Sequence, residues 1–527
     1  MYDSFVRDRL PPPELLPEFR FDLPGVRYPE RLNSAAELLK GGAPEALAVI
    51  NDHGRWTYSG LDSFSGRIAR LLVEEEGLIP GNRVLLRGPN GYTMFAAWLG
   101  ILKAGGVVVA TMPLLRPGEI ATVIERAQIS HAIVDSRFIG DFRGAMTQTS
   151  FVKQLVKYDG DYGKGELETR CASLKPLPPV DTGRDDPALI AFTSGTTGMP
   201  KGCIQFHRDI LAPCDTFAKT HFRMAPGDIV MTSAPIAFTF GLGATLMFPL
   251  RFGAATATIE QPSPPAMLEA MTQHRVTHLA TAPTAYKAMV SQPALDEALK
   301  SLKCCLSAGE HLPSATWAAW KARTNLSIVD GIGSTEMMHI FISDSGDAIR
   351  PGSTGRAVRG YEATGLDPDG QPMAEGEGRL AVKGPTGCRY LDDPRQKNYV
   401  EGGWNITGDT YRKDEDGYYW YVARSDDMIV SSGYNIGAPE VENALLGHPA
   451  VAECAVIGVP CPERGQKVKA FIVAAANVTP NDALISELKN FVKATIAPYK
   501  YPREIEFVDA LPKTATGKLR RVELRNR

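Results

Sequence analysis

Cysteine is scarce, with 8 in 527 residues. That density is too low for a disulfide scaffold. No CxxC or Cys/His cluster has zinc spacing, and the adjacent Cys304 and Cys305 would pair only with strain. A reducing, cytoplasmic setting is therefore the default expectation. Excess charge of one sign is also missing. The 57 Lys and Arg against 60 Asp and Glu leave a formal −3, which gives no electrostatic case for nucleic acid as a partner. Internal repeats and low-complexity tracts are absent, which argues against a solenoid. One uncharged run, Ile229 to Leu250, is long enough to span a bilayer. Ser233, Pro235, Thr239, Gly241, Gly243 and Pro249 interrupt it, however, and its pattern suits a buried strand, a turn and a buried helix. No membrane span is expected. The opening stretch, MYDSFVRDRLPPPELLPEFRFDLPG, has no apolar core of signal-peptide length and is expected to lie as a Pro-punctuated arm on a domain surface.

What is present fits a globular protein, with 44% hydrophobic and 22% charged residues. The length exceeds what one core comfortably fills, so two or more domains are expected. Helical and strand patterns alternate from TYSGLDSFSGRIARLLVEEEG through NRVLLRG, TMFAAWLGILKAG and VVVATM, and again between 226 and 290. Such alternation predicts an α/β fold built on parallel sheets with helices on their faces. After about residue 350 the texture becomes Gly-rich short strands, a β-meander. A compact α+β tail follows, with helices at APEVENALLGH and DALISELKNFVKATI. The boundary is placed between residues 425 and 426, giving a large domain 1–425 and a small, mobile domain 426–527.

The strongest local feature is ALIAFTSGTTGMPKGCI, where an apolar strand runs into Thr193 to Gly202. Gly195, Gly198 and Gly202 let backbone N–H groups turn inward on an anion. Thr193, Ser194, Thr196 and Thr197 add hydroxyl donors and Lys201 a positive charge, a set suited to phosphate oxygens. A Walker loop needs GxxxxGK followed by Ser or Thr; here Gly202 follows the lysine, so this is a phosphate loop of another kind. In VDGIGSTEMMHIF, Gly331 and Gly333 end a strand, and Glu336 beside Ser334 and Thr335 could hold Mg²⁺ on a triphosphate. In NITGDTYRKDEDGYYWYVAR, Asp409 suits a ribose diol and Arg424 follows some fifteen residues later. SSGYNIGAPEVE carries Gly433, and LPKTATGKLRR carries Lys518 on a Gly517 turn. Singly, Asp409 reads equally as a turn acid and Lys518 as a solvated charge in a basic tail.

In this order and spacing the segments resemble the adenylate-forming enzymes, which include acyl-CoA and aryl-CoA synthetases, luciferases and peptide-synthetase adenylation domains. The resemblance covers nearly the whole chain. Through RYPERLN, GSTEMMHIF, TGCRYLDD and SSGYNIGAPEVENALLGHPAVAEC it is greatest to the benzoate-CoA ligase group, 2-aminobenzoate-CoA ligases above all. It implies that TSGTTGMPKG covers the ATP β- and γ-phosphates. It implies an adenine slot at Gly309 and Glu310 with Asp330, Gly331, Ile332 and Gly333, an α-phosphate contact at Thr335, and a Mg²⁺ ligand at Glu336. Asp409 and Arg424 match the ribose clamp, Asp426 the hinge, Ser432, Gly433 and Tyr434 the coenzyme A tunnel, and Lys518 the adenylation lysine. Phe238 matches the gate of an acid pocket that Gly333 and His339 also line; His339 reads as well as a structural histidine. Thr239 stands where amino-acid-activating members carry Asp, which argues against a zwitterionic substrate, and Val430 stands where many aryl-CoA ligases carry Lys.

The implied reaction joins a small aromatic carboxylic acid (2-aminobenzoate or benzoate) to ATP as acyl-AMP, releasing pyrophosphate, and then passes the acyl group to coenzyme A, releasing AMP. A medium-chain fatty acid as substrate and a carrier protein as acceptor stay open. A nucleotide hydrolase or kinase is opposed by the missing Walker signature, and a binding module without turnover by the joint presence of Lys518, Glu336 and Asp409.

Overall fold

Strands whose residues are all buried need cover on both faces, and the first half of the chain supplies it with intervening helices. The structure is a computed structural model that describes residues 2–193, 199–424, 428–431, 434–461, 465–496, 498–514 and 519–526. A six-stranded sheet runs in the order Gln154–Tyr158, His131–Asp135, Arg83–Arg87, Val107–Thr111, Pro187–Thr193, Lys201–Phe206. All its pairs are parallel except the last, which is an antiparallel hairpin. A nine-stranded sheet has six parallel central strands, Ile328–Gly333, Cys304–Ser307, His278–Thr281, Ile229–Thr232, Ala255–Ala257 and Leu47–Asn51. Antiparallel strands close both its edges, so the sheets are mixed where sequence alternation alone predicts parallel ones.

The helix Tyr58–Arg70 begins where the Thr57 hydroxyl accepts from the Gly60 N–H at 3.1 Å, and it buries Leu61, Phe64 and Ile68 along one face. It packs on Tyr92–Lys103, which is buried nearly all round. The two approach closely at Gly100, where a Cβ would stand 2.8 Å from Ile68. Lys103 escapes by donating to the Asp62 carbonyl at 2.8 Å. The uncharged run forms the strand Ile229–Thr232 and the helical turns Thr239–Leu242, Gly243–Met247 and Phe248–Phe252, all core. Among the described residues no helix is long and apolar enough to cross a membrane. The N-terminal arm departs from expectation. Phe5 and Val6 enter the core with Leu85, Val107 and Ile124, Gln396 donates to the Leu15 carbonyl at 2.9 Å, and Phe19 bridges to Gly384.

The meander is a six-stranded antiparallel sheet that includes Glu362–Leu366, Gly376–Lys383, Trp404–Lys413 and Tyr419–Arg424. A separate small C-terminal domain follows. In it Ile429–Ser431, Tyr434–Ile436, Val451–Cys461, Gly465–Ala474 and Glu504–Phe507 form one sheet, with helices Ala438–Leu446 and Asp482–Thr495 closing its core. The expected boundary at 425/426 lies outside the described residues.

Seven histidines, His131, His207, His221, His274, His278, His311 and His339, are held below the usual imidazole range, chiefly by burial. Each takes up a proton less readily in the folded chain than in the unfolded chain, where an imidazole protonates below about pH 6.5. The unfolded state then binds more protons, so stability falls as pH falls below that value. Asp330 and Glu168, whose carboxyls burial raises, act in the opposite sense but are fewer. We expect the melting temperature to drop by roughly 5 °C or more between pH 7 and pH 5, as differential scanning fluorimetry would show; a flat profile would contradict the buried neutral histidines.

Candidate active site

The phosphate loop is the connection of a β-hairpin. Thr193 pairs with Lys201 across it, and Ser194, Gly195, Thr196, Thr197 and Gly198 lie outside the described residues. Lys201 thus opens a strand, Lys201–Phe206, and not the helix a Walker lysine would open. The Thr193 hydroxyl is buried without a hydrogen-bond partner among the described residues. Lys201 is only 7% exposed; its Nζ donates to the Tyr399 hydroxyl at 2.6 Å and stands 3.8 Å from Glu336 Oε1. The same Oε1 accepts from the Tyr390 hydroxyl. Burial and the neighbouring Glu336 charge push the Tyr390 phenol far up, so it remains a donor.

Glu336 sits in the turn 334–339 between strands Ile328–Gly333 and Ile340–Ser343. The turn is tight. The His339 N–H donates to the Met337 carbonyl at 2.8 Å, and Met338 is held at φ 66° although it is no glycine. A side chain at Gly333 would stand 2.6 Å from the His339 carbonyl. Such backbone costs on the order of 1–3 kcal/mol and persists only where the surroundings enforce it. Here Gln205 donates to the Thr335 carbonyl and Thr386 to the Met337 carbonyl, both at 2.8 Å. Among the described residues no group of three or more His, Cys, Asp and Glu could hold a metal. A single carboxylate is nonetheless what Mg²⁺ takes when phosphates and waters complete its shell, so Glu336 fits that ion.

The adenine candidates converge at the carboxyl ends of neighbouring parallel strands, where Ser307 pairs in register with Asp330. Ser307 Oγ and Asp330 Oδ1 are both buried without partners among the described residues. Burial pushes the Asp330 carboxyl up to about 8, leaving it protonated near neutrality and able to donate as well as accept. Gly309 follows at φ 90° with open space around it, and Glu310 is next in the chain. Gly331 is required where a Cβ would stand 2.8 Å from Ile340. Asp409 and Arg424 are cross-strand partners 3.2 Å apart, and Gly408, at φ 77°, leaves room for the guanidinium.

His339 lies across the turn from Glu336, 2% exposed, its Nε2 3.4 Å from the Phe240 carbonyl and its Nδ1 without a partner among the described residues. Phe217, Phe240 and Phe248 surround the ring, Phe248 edge-on at 4.5 Å. Burial depresses the imidazole to about 3, so it is neutral at any working pH. Phe238 stands half-buried at the start of the helical turn Thr239–Leu242; it is Phe240, two residues on, that meets His339.

Residues 40–389 match the AMP-binding enzyme family, and residues 440–518 match the AMP-binding enzyme C-terminal domain. The chain belongs to the AMP-binding enzyme family. It is 35% identical to the benzoate-CoA ligase of Thauera aromatica over 95% of this chain and 97% of that one. The crystal structure of the anthranilate-CoA ligase AuaEII with anthranoyl-AMP superposes with a TM-score of 0.89 at 32% identity, covering 96% of this chain and 98% of that one. The benzoate-CoA ligase of Burkholderia xenovorans LB400 superposes at 0.85 with 34% identity over 94% and 100%. This AMP-binding enzyme is thus an ATP-dependent, AMP-forming acid–thiol ligase of the benzoate-CoA ligase group.

On this AMP-binding enzyme the hairpin, the turn and the paired strand ends bring Thr193, Lys201, Glu336 and Asp330 to the carboxyl ends of two sheets. Asp426, Ser432, Gly433 and Lys518 lie outside the described residues; Tyr434 is described only in its backbone, which pairs with Ser431. Sequence reasoning missed Tyr390, Tyr399, Phe217 and Gly243. TGCRYLDD contains Tyr390, but nothing local says that a residue 54 positions away meets Glu336.

A Cβ on Gly243 would fall on the His339 ring. Gly243→Ala is therefore expected to raise the KM for the acid by about tenfold or more while leaving the KM for ATP within about twofold. Steady-state pyrophosphate release checks both, and an equal rise in the two constants would detach His339 from the acid.

Proposed function

We propose that this ligase activates a planar aromatic carboxylate, with 2-aminobenzoate favoured and benzoate next, and transfers it to coenzyme A. The observation that carries the reading is the neutral His339 ring enclosed by Phe217, Phe240 and Phe248, its Nδ1 without a partner among the described residues. Aromatic walls favour a flat ring through stacked and edge-on contacts. A lone acceptor or donor in such a wall suits an ortho substituent, and Thr239 leaves no counter-charge for an α-ammonium. The anthranoyl-AMP complex of the structural neighbour supports the same class of acid.

In the first half-reaction a carboxylate oxygen attacks the α-phosphorus, the bond to the β-phosphate oxygen breaks, and pyrophosphate leaves. Two anions meet in that step, so positive charge has to be waiting. Lys201 supplies it at the distal phosphates, and Lys518, on the small domain, at the carboxylate and α-phosphate. A Mg²⁺ ion held by Glu336 would add cationic charge against the triphosphate. One such contact in a dry site is worth about 3–4 kcal/mol of barrier, roughly 10²–10³ in rate. In the second half-reaction the coenzyme A thiolate attacks the carbonyl carbon, the acyl–phosphate bond breaks, and AMP leaves. Lys518 and Gly433 serve different steps at one carbonyl, and rotation of the small domain about Asp426 would present them in turn.

A pyrophosphate-release panel with coenzyme A should rank 2-aminobenzoate and benzoate above hexanoate and octanoate in kcat/KM; a fatty acid ahead of every aryl acid would overturn the assignment. Single-turnover kinetics should show Lys518→Ala abolishing acyl-AMP formation while thioester formation from preformed acyl-AMP is largely kept. Gly433→Trp should do the reverse, since an indole would fill the proposed thiol channel. Equal loss of both steps in Lys518→Ala would remove the case for alternation.

A further inference from the structure

The loop lysine does not reach into open solvent. Its ammonium lies 4.0 Å from the ring centroid of Tyr399 and 4.9 Å from that of Tyr390, while donating to the Tyr399 hydroxyl. The two rings meet edge-to-face at 5.1 Å and 87°. Tyr390 donates its own hydroxyl to Glu336, whose oxygen stops 3.8 Å short of the ammonium. An isolated lysine and glutamate at this separation in an enclosed site would close into a direct ion pair, since their attraction rises as water is excluded. A direct hydrogen bond would commit the ammonium proton and the carboxylate oxygen to each other before any phosphate arrived, whereas at 3.8 Å the two attract as an ion pair without sharing that proton.

The segment that carries the two phenols is firmly seated. Arg389, next to Tyr390, is buried and ion-paired to Asp209 at 2.7 Å. The Tyr390 N–H donates to Gln396 at 2.9 Å, and Arg395 reaches the Met199 carbonyl of the phosphate loop at 3.0 Å. We propose that Tyr390 and Tyr399 are positioning residues for the adenylation step: their phenols hold the Lys201 ammonium and the Glu336 carboxylate apart, so that each is presented separately to the triphosphate. This rests on the reading above, in which Lys201 and Glu336 meet ATP.

The test measures the ATP dissociation constant by fluorescence titration in the absence of acid, the KM and kcat of pyrophosphate release, and thioester formation from preformed acyl-AMP. Tyr399→Phe, which keeps the ring, should weaken ATP binding about tenfold, and Tyr399→Leu several-fold further. Tyr390→Phe should also weaken it about tenfold. Thioester formation from preformed acyl-AMP should stay within twofold in all three. The deciding measurement is the double-mutant cycle. With Lys201→Met already present, Tyr399→Phe should change ATP binding by less than twofold, and Tyr390→Phe should do likewise with Glu336→Gln. Full-sized effects in those backgrounds would overturn the proposal, as would tyrosine variants that bind ATP normally while Lys201→Met and Glu336→Gln do not. If Lys201→Met and Glu336→Gln themselves bind ATP normally, the phosphate-site reading falls and the tether with it. Should the buried Tyr390 variant fail to fold, the half-buried Tyr399 series decides alone.

Discussion

The turn 334–339 is the constraint on which the rest of the site depends. It is strained at Met338, and it closes only because Gly333 lets the His339 carbonyl approach. Within six residues it carries Glu336 toward Lys201 and His339 into the aromatic cluster. Gln205 from the phosphate-loop hairpin and Thr386 from the meander hold its carbonyls, so three separate parts of the large domain fix one turn. Strain of this kind is tolerated where the surrounding packing over-determines it.

Charge in the site is sparing. His339 is neutral, Asp330 is protonated near neutral pH, and Tyr390 is kept as a phenol, each chiefly by burial. Charge among the described residues includes the Lys201–Glu336 pair at the loop and the Asp409–Arg424 pair at the ribose candidate. A site for a triphosphate and a carboxylate has to stabilise anions without collapsing in their absence. Removing one member of a buried pair leaves the other uncompensated, which makes spacing as consequential as sign. The Thr193 and Ser307 hydroxyls, buried and without partners among the described residues, stand at strand ends where ligands of this fold class bind.

Much of this was legible locally. Glycines at fixed spacing after an apolar strand, an acid after a Gly-Ser-Thr turn, and Asp409 with Arg424 all sit in short segments whose chemistry follows from residue type. Other contacts leave no such trace: Phe240, in the helical turn Thr239–Leu242, meets the His339 ring, and nothing in the local pattern singles it out. The N-terminal arm, punctuated by proline, reads as superficial, but Phe5 and Val6 are buried against Leu85, Val107 and Ile124, distant segments that no local pattern reveals.

The sequence by itself determined the class of protein, the α/β alternation and the rejection of a Walker lysine, because each depends on residues near one another in the chain. Only the tertiary structure decided that Lys201 opens a strand whose ammonium is caged by Tyr390 and Tyr399, and that Ser307 faces Asp330 in register. It also decided that His339 is buried and neutral among three phenylalanines. These contacts join segments up to about two hundred positions apart. Their formation depends on loop closure, burial and strand register, which are properties of the packed whole and leave no mark on any single stretch of chain.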